Sequence, residues 1–309
     1  MTAPPDTGPW LPWGQAMDRA LYGPDGFYRR EEPAAHFATS TGLPGFAAAV
    51  RELADRVDVA MGKPGAFDVV DLGAGGGELL AGLGRVPARW RLTAVDVRGR
   101  PAGAHDRVHW RADLPTVTGL LIANEWLDTI PLDLVSAGHL VEVSPAGGER
   151  QGQRAPAAAL AWCRRWWPEG NRAEVGLSRD RAWATAVAAV TRGLAVAVDY
   201  GHLVATRRPT LTGYRAGRQV APAPDGSCDL TAHVALDSCA EATGSRLMSQ
   251  HAALRALGVT AALPRAGPGF AAGLQRASEA IRLLDLAGLG GFGWLVRPVG
   301  IADPLTLPP

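Results

Sequence analysis

Between residues 67 and 126 the chain repeats one pattern: FDVVDLG, RLTAVDV, RVHWRAD and GLLIANEW are short apolar runs, each closing on an acidic residue. A strand with apolar residues on both faces must be covered on both faces. That is the condition of a parallel sheet sandwiched between helices. The first run is followed by a helix-compatible stretch, GELLAGLG, and a fifth run, GLAVAVDYG at 193–201, repeats the strand texture before a last one, GFGWLVRP. The constraint predicts an α/β fold with a doubly wound, Rossmann-like sheet, and 309 residues suffice for one such sheet with insertions.

Around that sheet the expected organisation is a helical N-terminal segment over 1–66, acting as a lid, and a main domain over 67–309 interrupted by an insertion at about 135–192. The N-terminal segment carries helical patterns at 14–22 and 44–60. They are separated by GPDGFYRREEPAAHFATS, too rich in Gly and Pro to continue either helix. LDLVSAGHLVEVSPAGG reads as a hairpin and 154–192 as helical, with Trp162, Trp166, Trp167 and Trp183 as core residues. Further helices are expected at 231–242, 250–258 and 269–287.

The balance of 31 basic and 30 acidic side chains excludes the electrostatic footprint of a protein that binds nucleic acid or an anionic membrane. Cys163, Cys228 and Cys239 form no Cys-x-x-Cys pair, so neither a disulfide framework nor a zinc ribbon is supported, and a reducing cytoplasm is expected. MTAPPDTGPWLPWG shows no basic stretch followed by an apolar run, and no segment approaches the ~20 apolar residues that span a bilayer. A cytoplasmic protein follows as the expectation.

The loop VVDLGAGGGE sets Gly73, Gly75 and Gly77 between a strand ending at Asp71 and a helix. Glycines there permit a sharp turn and close approach of a ligand to the free N–H groups of the helix start. The dinucleotide spacing G-x-G-x-x-G fails, because its last position falls on Glu78 counted from Gly73 and on Leu80 counted from Gly75. A phosphate-binding Gly-Lys-Ser/Thr is absent too. The Asp-x-Gly-x-Gly-x-Gly pattern instead resembles motif I of class I S-adenosyl-L-methionine-dependent methyltransferases. That resemblance implies S-adenosyl-L-methionine as cofactor, Asp96 as the acceptor for the ribose hydroxyls, and Asp113 near the adenine amine. A plain strand-to-helix turn, with Asp113 capping another turn, is the bland alternative.

LLIANEWLDTIP places Asn124, Glu125 and Asp128 after the fourth strand, where such a sheet puts its acceptor chemistry. The Asn/Asp-Pro-Pro-Tyr of amide and base-nitrogen methylases is missing. If the acceptor is an arginine, its guanidinium and the cofactor sulfonium repel by roughly 4 kcal/mol at ~4 Å and an effective dielectric near 20. A carboxylate at Glu125 offsets that charge and can grip the guanidinium, with Asp128 as a second anchor and Asn124 orienting Glu125 or meeting the cofactor. No metal is required. Capping of the next turn is the alternative role for both acids.

NEWLDTIP further resembles the Asn-Glu-x-x-Asp-x-x-Pro signature of the MidA-like class I methyltransferases. Gly26, Phe27 and Tyr28, then Phe37, Thr39 and Ser40, are similar to two N-terminal elements of that family. Asp199 to Gly201 match its Asp-Tyr-Gly, and TLTGYRAGR and DLTAHV match two later blocks. The resemblance implies an N-terminal segment over the site, methylation of a protein arginine, Thr39 and Ser40 as cofactor-binding residues, and Tyr200, Tyr214, Arg218, Asp229 and His233 as surrounding groups. His36 stands where that family has Asp, and GLPGFAAAV departs from its next element. Two other functions therefore stay open: methylation of a small molecule, and cofactor binding by a non-catalytic assembly factor.

Overall fold

The computed structural model describes residues 8–30, 40–264 and 269–306. The chain divides into two compact units, each gathered from three stretches: Ala38–Trp126, Ala184–Tyr200 and Thr243–Pro309 form one, and Met1–Phe37, Leu127–Trp183 and Gly201–Ala242 the other.

The first unit holds the central sheet. Its strands are β1 (Phe67–Leu72), β2 (Trp90–Val95), β3 (Val108–Arg111), β4 (Val117–Asn124), β5 (Val190–Asp199), β6 (Arg246–Ser249) and β7 (Gly293–Val299), in the spatial order β6-β7-β5-β4-β1-β2-β3. The five strands from β5 to β3 run parallel, as the both-face apolar pattern requires. Every residue of β1 is buried, and Leu120, Leu121 and Ile122 of β4 are fully enclosed. Each such apolar side chain stabilises the fold by roughly 2 kcal/mol. The last strand, β7, is antiparallel to both β5 and the short edge strand β6, which the sequence pattern did not announce.

Four helices of this unit share the sheet's core: α1 (Pro44–Ala60), α2 (Glu78–Gly82), α3 (Gln250–Ala256) and α4 (Phe270–Leu284). α1 starts on a proline, whose missing N–H costs nothing in the first turn. It then buries Phe46, Val50, Leu53 and Val57 at alternating spacings of four and three, one stripe of a helix. The chain steps outward from β1 through β2 to β3, then returns to lay β4 on the other side of β1. The carboxyl ends of β1 and β4 therefore flank a topological switch point, where open α/β sheets bind ligands.

The second unit builds its own sheets. One runs Leu11–Pro12, His139–Val143, Asp133–Ser136, Arg172–Val175, with Glu149–Arg154 added beside His139–Val143. The expected hairpin after residue 132 is its centre. A three-stranded ribbon joins Arg218–Val220, Thr212–Arg215 and Asp229–Thr231. Trp13, Met17, Leu21, Phe27, Leu134 and Leu230 pack one core, and Trp162, Trp167, Leu140 and Val175 another.

Three expectations change. A single sheet with insertions accounts for one unit only. The helical stretch expected over 154–192 is two helices, Ala157–Trp166 and Leu177–Ala188, parted by the strand Arg172–Val175, which pairs with Asp133–Ser136 after the Pro-Glu-Gly break at 168–170. The helix expected from 231 begins at Leu236, because Asp229–Thr231 is drawn into the ribbon. Among the described residues no helix is long and apolar enough to cross a membrane.

Candidate functional site

Gly73, Gly75 and Gly77 follow β1, and all three take positive φ. At Gly73, φ is +78°, and a Cβ there would fall 2.7 Å from Trp126 Cδ1; at Gly77, φ is +83° with Trp110 Cζ2 at 2.9 Å. Any side chain at either position would meet both backbone strain and an indole. The tryptophans press the loop from outside, and Trp126 ties it to the end of β4.

Asp96, just beyond β2, closes the loop. One carboxylate oxygen, Oδ2, accepts the Gly75 N–H at 2.9 Å, and the other accepts the backbone N–H of Arg98 at 3.0 Å and its Nε at 3.2 Å. Asp71 ends the neighbouring strand at 3 % exposure. Burial foremost, then the carboxylates of Asp96 and Glu78, push its carboxyl from 3.8 to about 8. Asp113 lies two residues past β3, where its exposed carboxylate takes a 2.6 Å bond from Arg111 that holds it below the usual carboxylate range.

β4 delivers Asn124 and Glu125 to the switch point. Glu125 sits at φ +50°, a left-handed conformation that costs a residue with a Cβ about 1 kcal/mol. Its N–H is tied to Val198 O at 2.8 Å. Its Oε1 accepts the Ser40 N–H at 3.0 Å and Asn124 Nδ2 at 3.0 Å. Asn124 is buried, and its Oδ1 has no hydrogen-bond partner among the described residues. Behind Ser40, Gln250 donates to the Ser40 hydroxyl at 3.4 Å and accepts from Trp294 Nε1 at 3.2 Å. Ser40 and Gln250 are fully enclosed, so this relay sets the backbone amide that Glu125 grips. Gln250 and Trp294 gave no signal in the sequence, since a buried glutamine opening a helix looks like any exposed one. Thr39 and His36 lie outside the described residues. Tyr200 packs its ring on Phe292 at 5.5 Å.

The second unit gathers another set. Asp128 and Asp229 are both buried, at 6 % and 5 % exposure. Asp128 Oδ2 accepts the Thr231 hydroxyl at 2.8 Å, and Asp229 Oδ1 accepts the Tyr28 hydroxyl at 2.6 Å. Burial first, with Asp128 adding to it, lifts the Asp229 carboxyl to about 7, and burial with Asp229 pushes the Tyr28 phenol well above its usual range. Tyr28 meets the Tyr22 ring in a tilted contact and the Phe27 ring edge-on, while Tyr214 pairs opposite Asp229 in the ribbon and Arg218 is exposed on its outer strand.

His233 donates its backbone N–H to the Thr210 hydroxyl at 2.9 Å, and burial lowers its imidazole below the usual range. Arg179 was not anticipated. At 1 % exposure its guanidinium donates to the carbonyls of Asp128, Ile130, Ala232 and His233 at 2.6, 3.1, 2.8 and 3.0 Å. It pins the Asp128 turn to the loop that carries Thr231. Asp128, read beside Glu125 in the sequence, thus belongs to this unit, and Glu125 to the other.

The first unit's arrangement suits a ligand with a ribose and cationic groups and no pyrophosphate. Asp96 supplies one acceptor, and Asn124 Oδ1, without a hydrogen-bond partner among the described residues, supplies another. Such a sheet, with this loop and acids at its strand ends, is the arrangement of an α/β protein that binds a nucleoside-type ligand at its switch point. The family model described as "Putative S-adenosyl-L-methionine-dependent methyltransferase" matches residues 91–252, and the chain belongs to that family. It is therefore an S-adenosyl-L-methionine-dependent methyltransferase.

A COG1565 superfamily member from Burkholderia thailandensis, crystallised with S-adenosyl-homocysteine, is 26% identical with a TM-score of 0.80, over 96% of this chain and 90% of that one. A native crystal structure of a COG1565 superfamily protein from the same organism is 27% identical with a TM-score of 0.78, over 96% and 89%. No curated protein matches the chain.

Proposed function

We propose that the protein is a protein-arginine N-methyltransferase of MidA type, with Glu125 as its catalytic residue. The observation that carries the reading is the conformation of Glu125: a left-handed residue at a buried strand end, its carboxylate fixed by Ser40 and Asn124. Strain of this kind persists where the surrounding structure over-determines it, and it clusters at functional sites. The NEWLDTIP signature supports the same reading.

Gly73, Gly75, Gly77, Asp71 and Asp96 would hold the cofactor, with Asn124 Oδ1 as a further acceptor and Thr39 and Ser40 alongside. S-adenosyl-L-methionine supplies an electrophilic methyl on a sulfonium. Glu125 offers a fixed negative charge to the incoming guanidinium, aligns one nitrogen, and lowers the repulsion between two cations. As the nitrogen's electron pair forms the new N–C bond, the sulfur–methyl bond would break with its pair left on sulfur as the thioether, and the surplus proton passes from that nitrogen toward the Glu125 carboxylate and on to water. Asp128 is proposed as an acceptor anchor held by Thr231, and Asp229, Tyr28 and His233 as groups supporting it. The near-balanced charge of +1 fits a protein partner better than nucleic acid or a membrane surface, and the free cysteines fit the cytoplasm.

The test is incubation with methyl-labelled S-adenosyl-L-methionine and a lysate from cells lacking the protein. Label in protein bands supports the reading. Label only in small molecules, or none despite cofactor binding, contradicts it.

A further inference from the structure

Glu78 opens α2 and enters the site described so far only as a charge beside Asp71. Its carboxylate turns back over the glycine loop: a Cβ on Gly76 would fall 2.2 Å from Glu78 Oε1, and one on Gly75 3.8 Å from Oε2. Gly76 leaves the space that this carboxylate fills. Two more carboxyl groups face the same loop. Asp71 lies at the end of β1, buried, and Asp96 accepts the Gly75 N–H. The cation beside them is Arg98, paired with Asp96 and with its Nη2 3.6 Å from the Gly75 Cβ position. Among the described residues, three carboxyl groups therefore surround the loop, and the Arg98 guanidinium pairs with one of them, Asp96.

We propose that Glu78 is a further cofactor-binding residue and that, with Asp71 and Asp96, it makes the loop select for positive charge, so that the methylated sulfonium cofactor binds more tightly than the thioether left after transfer. The proposal rests on the cofactor reading above. S-adenosyl-L-methionine carries one more positive charge than S-adenosyl-homocysteine, and the two differ otherwise by a methyl group. A loop with surplus acid favours the first and releases the second once its charge has gone.

Burial and the neighbouring acids leave Asp71 protonated over much of the neutral range, and a docked cation draws that proton off. The groups facing Asp71 are Asp96 from the end of β2, Glu78 from α2, and Arg98 through its pair with Asp96. A carboxylate at a helix start also complements the backbone dipole. That role alone would be indifferent to the charge of the ligand.

Titration calorimetry at pH 7 on the whole protein separates the two. The ligands are S-adenosyl-L-methionine, S-adenosyl-homocysteine, and sinefungin, in which an amine-bearing carbon replaces the sulfonium. In Glu78→Gln the two cationic ligands should weaken by about fivefold and S-adenosyl-homocysteine by less than about twofold, with the gap closing as salt is raised. Binding of S-adenosyl-L-methionine to the wild type should also release protons, read from buffers of different ionisation enthalpy. Equal weakening of all three ligands, or of none, overturns this proposal while leaving the cofactor reading intact. Failure of every ligand to bind the wild type overturns both.

Discussion

Replacing Glu125 by Gln separates charge from shape. The amide oxygen of Gln can accept the same two bonds that Oε1 accepts now, from Ser40 N and Asn124 Nδ2, both at 3.0 Å. Neutral bonds are weaker than charge-assisted ones by about 1 kcal/mol each, so the fold should lose about 1–2 kcal/mol and remain assembled. The backbone tie to Val198 and the φ of +50° are untouched. What disappears is the negative charge where two cations meet. Their repulsion is roughly 4 kcal/mol at ~4 Å and an effective dielectric near 20, and a carboxylate at similar range offsets a comparable amount. Losing about 3 kcal/mol of that slows transfer by about a hundredfold. The assay is label incorporation from S-adenosyl-L-methionine into lysate proteins, with calorimetry in parallel, where cofactor affinity should hold within about threefold. Labelling at the wild-type rate by a variant that still binds cofactor would refute the reasoning.

Three further outcomes follow from the geometry. Asp71→Asn should remove a stability term that depends on pH. A carboxyl raised from 3.8 to about 8 binds more protons folded than unfolded, so its stabilising contribution is present below pH ~4 and is lost as pH rises toward 8. At ~1.4 kcal/mol per pH unit the effect is capped near ~6 kcal/mol, and denaturant melts across that range should show a flatter profile in the variant. Gly73→Ala puts a methyl at φ +78° and 2.7 Å from the Trp126 indole. It should cost about 2–4 kcal/mol and weaken cofactor binding at least about tenfold, and an unchanged calorimetric titration would contradict the cradle. Arg179→Leu strips four carbonyl oxygens of their donor and should cost about 3 kcal/mol or more, a melting shift of roughly 5–10 °C, and a melt within a degree of wild type would contradict the clamp.

The central sheet was legible because parallel strands covered on both faces leave an unbroken apolar signature, and the glycine loop because its φ values admit no substitute. Asp96 and Glu125 stand just past strand ends, where the apolar runs of the sequence place them. Elements defined by a distant partner left no local trace. The strand Arg172–Val175 exists because Asp133–Ser136 offers it a ladder, and the edge strand β6 is a mostly part-exposed four-residue run beside β7. Gln250 and Arg179 act through enclosure, and enclosure is a property of the fold. The chain's division between Trp126 and Leu127, which parts Asp128 from Glu125, has no sequence punctuation at all.

The most direct test of the central claim is residue-level analysis of a labelled protein band. After reaction with methyl-labelled S-adenosyl-L-methionine, the band is digested to amino acids and fragmented by mass spectrometry. The account predicts label in methylarginine with the wild type and about a hundredfold less with Glu125→Gln. Label in lysine, in a carboxyl ester or in a main-chain amine, with arginine unlabelled, would contradict it.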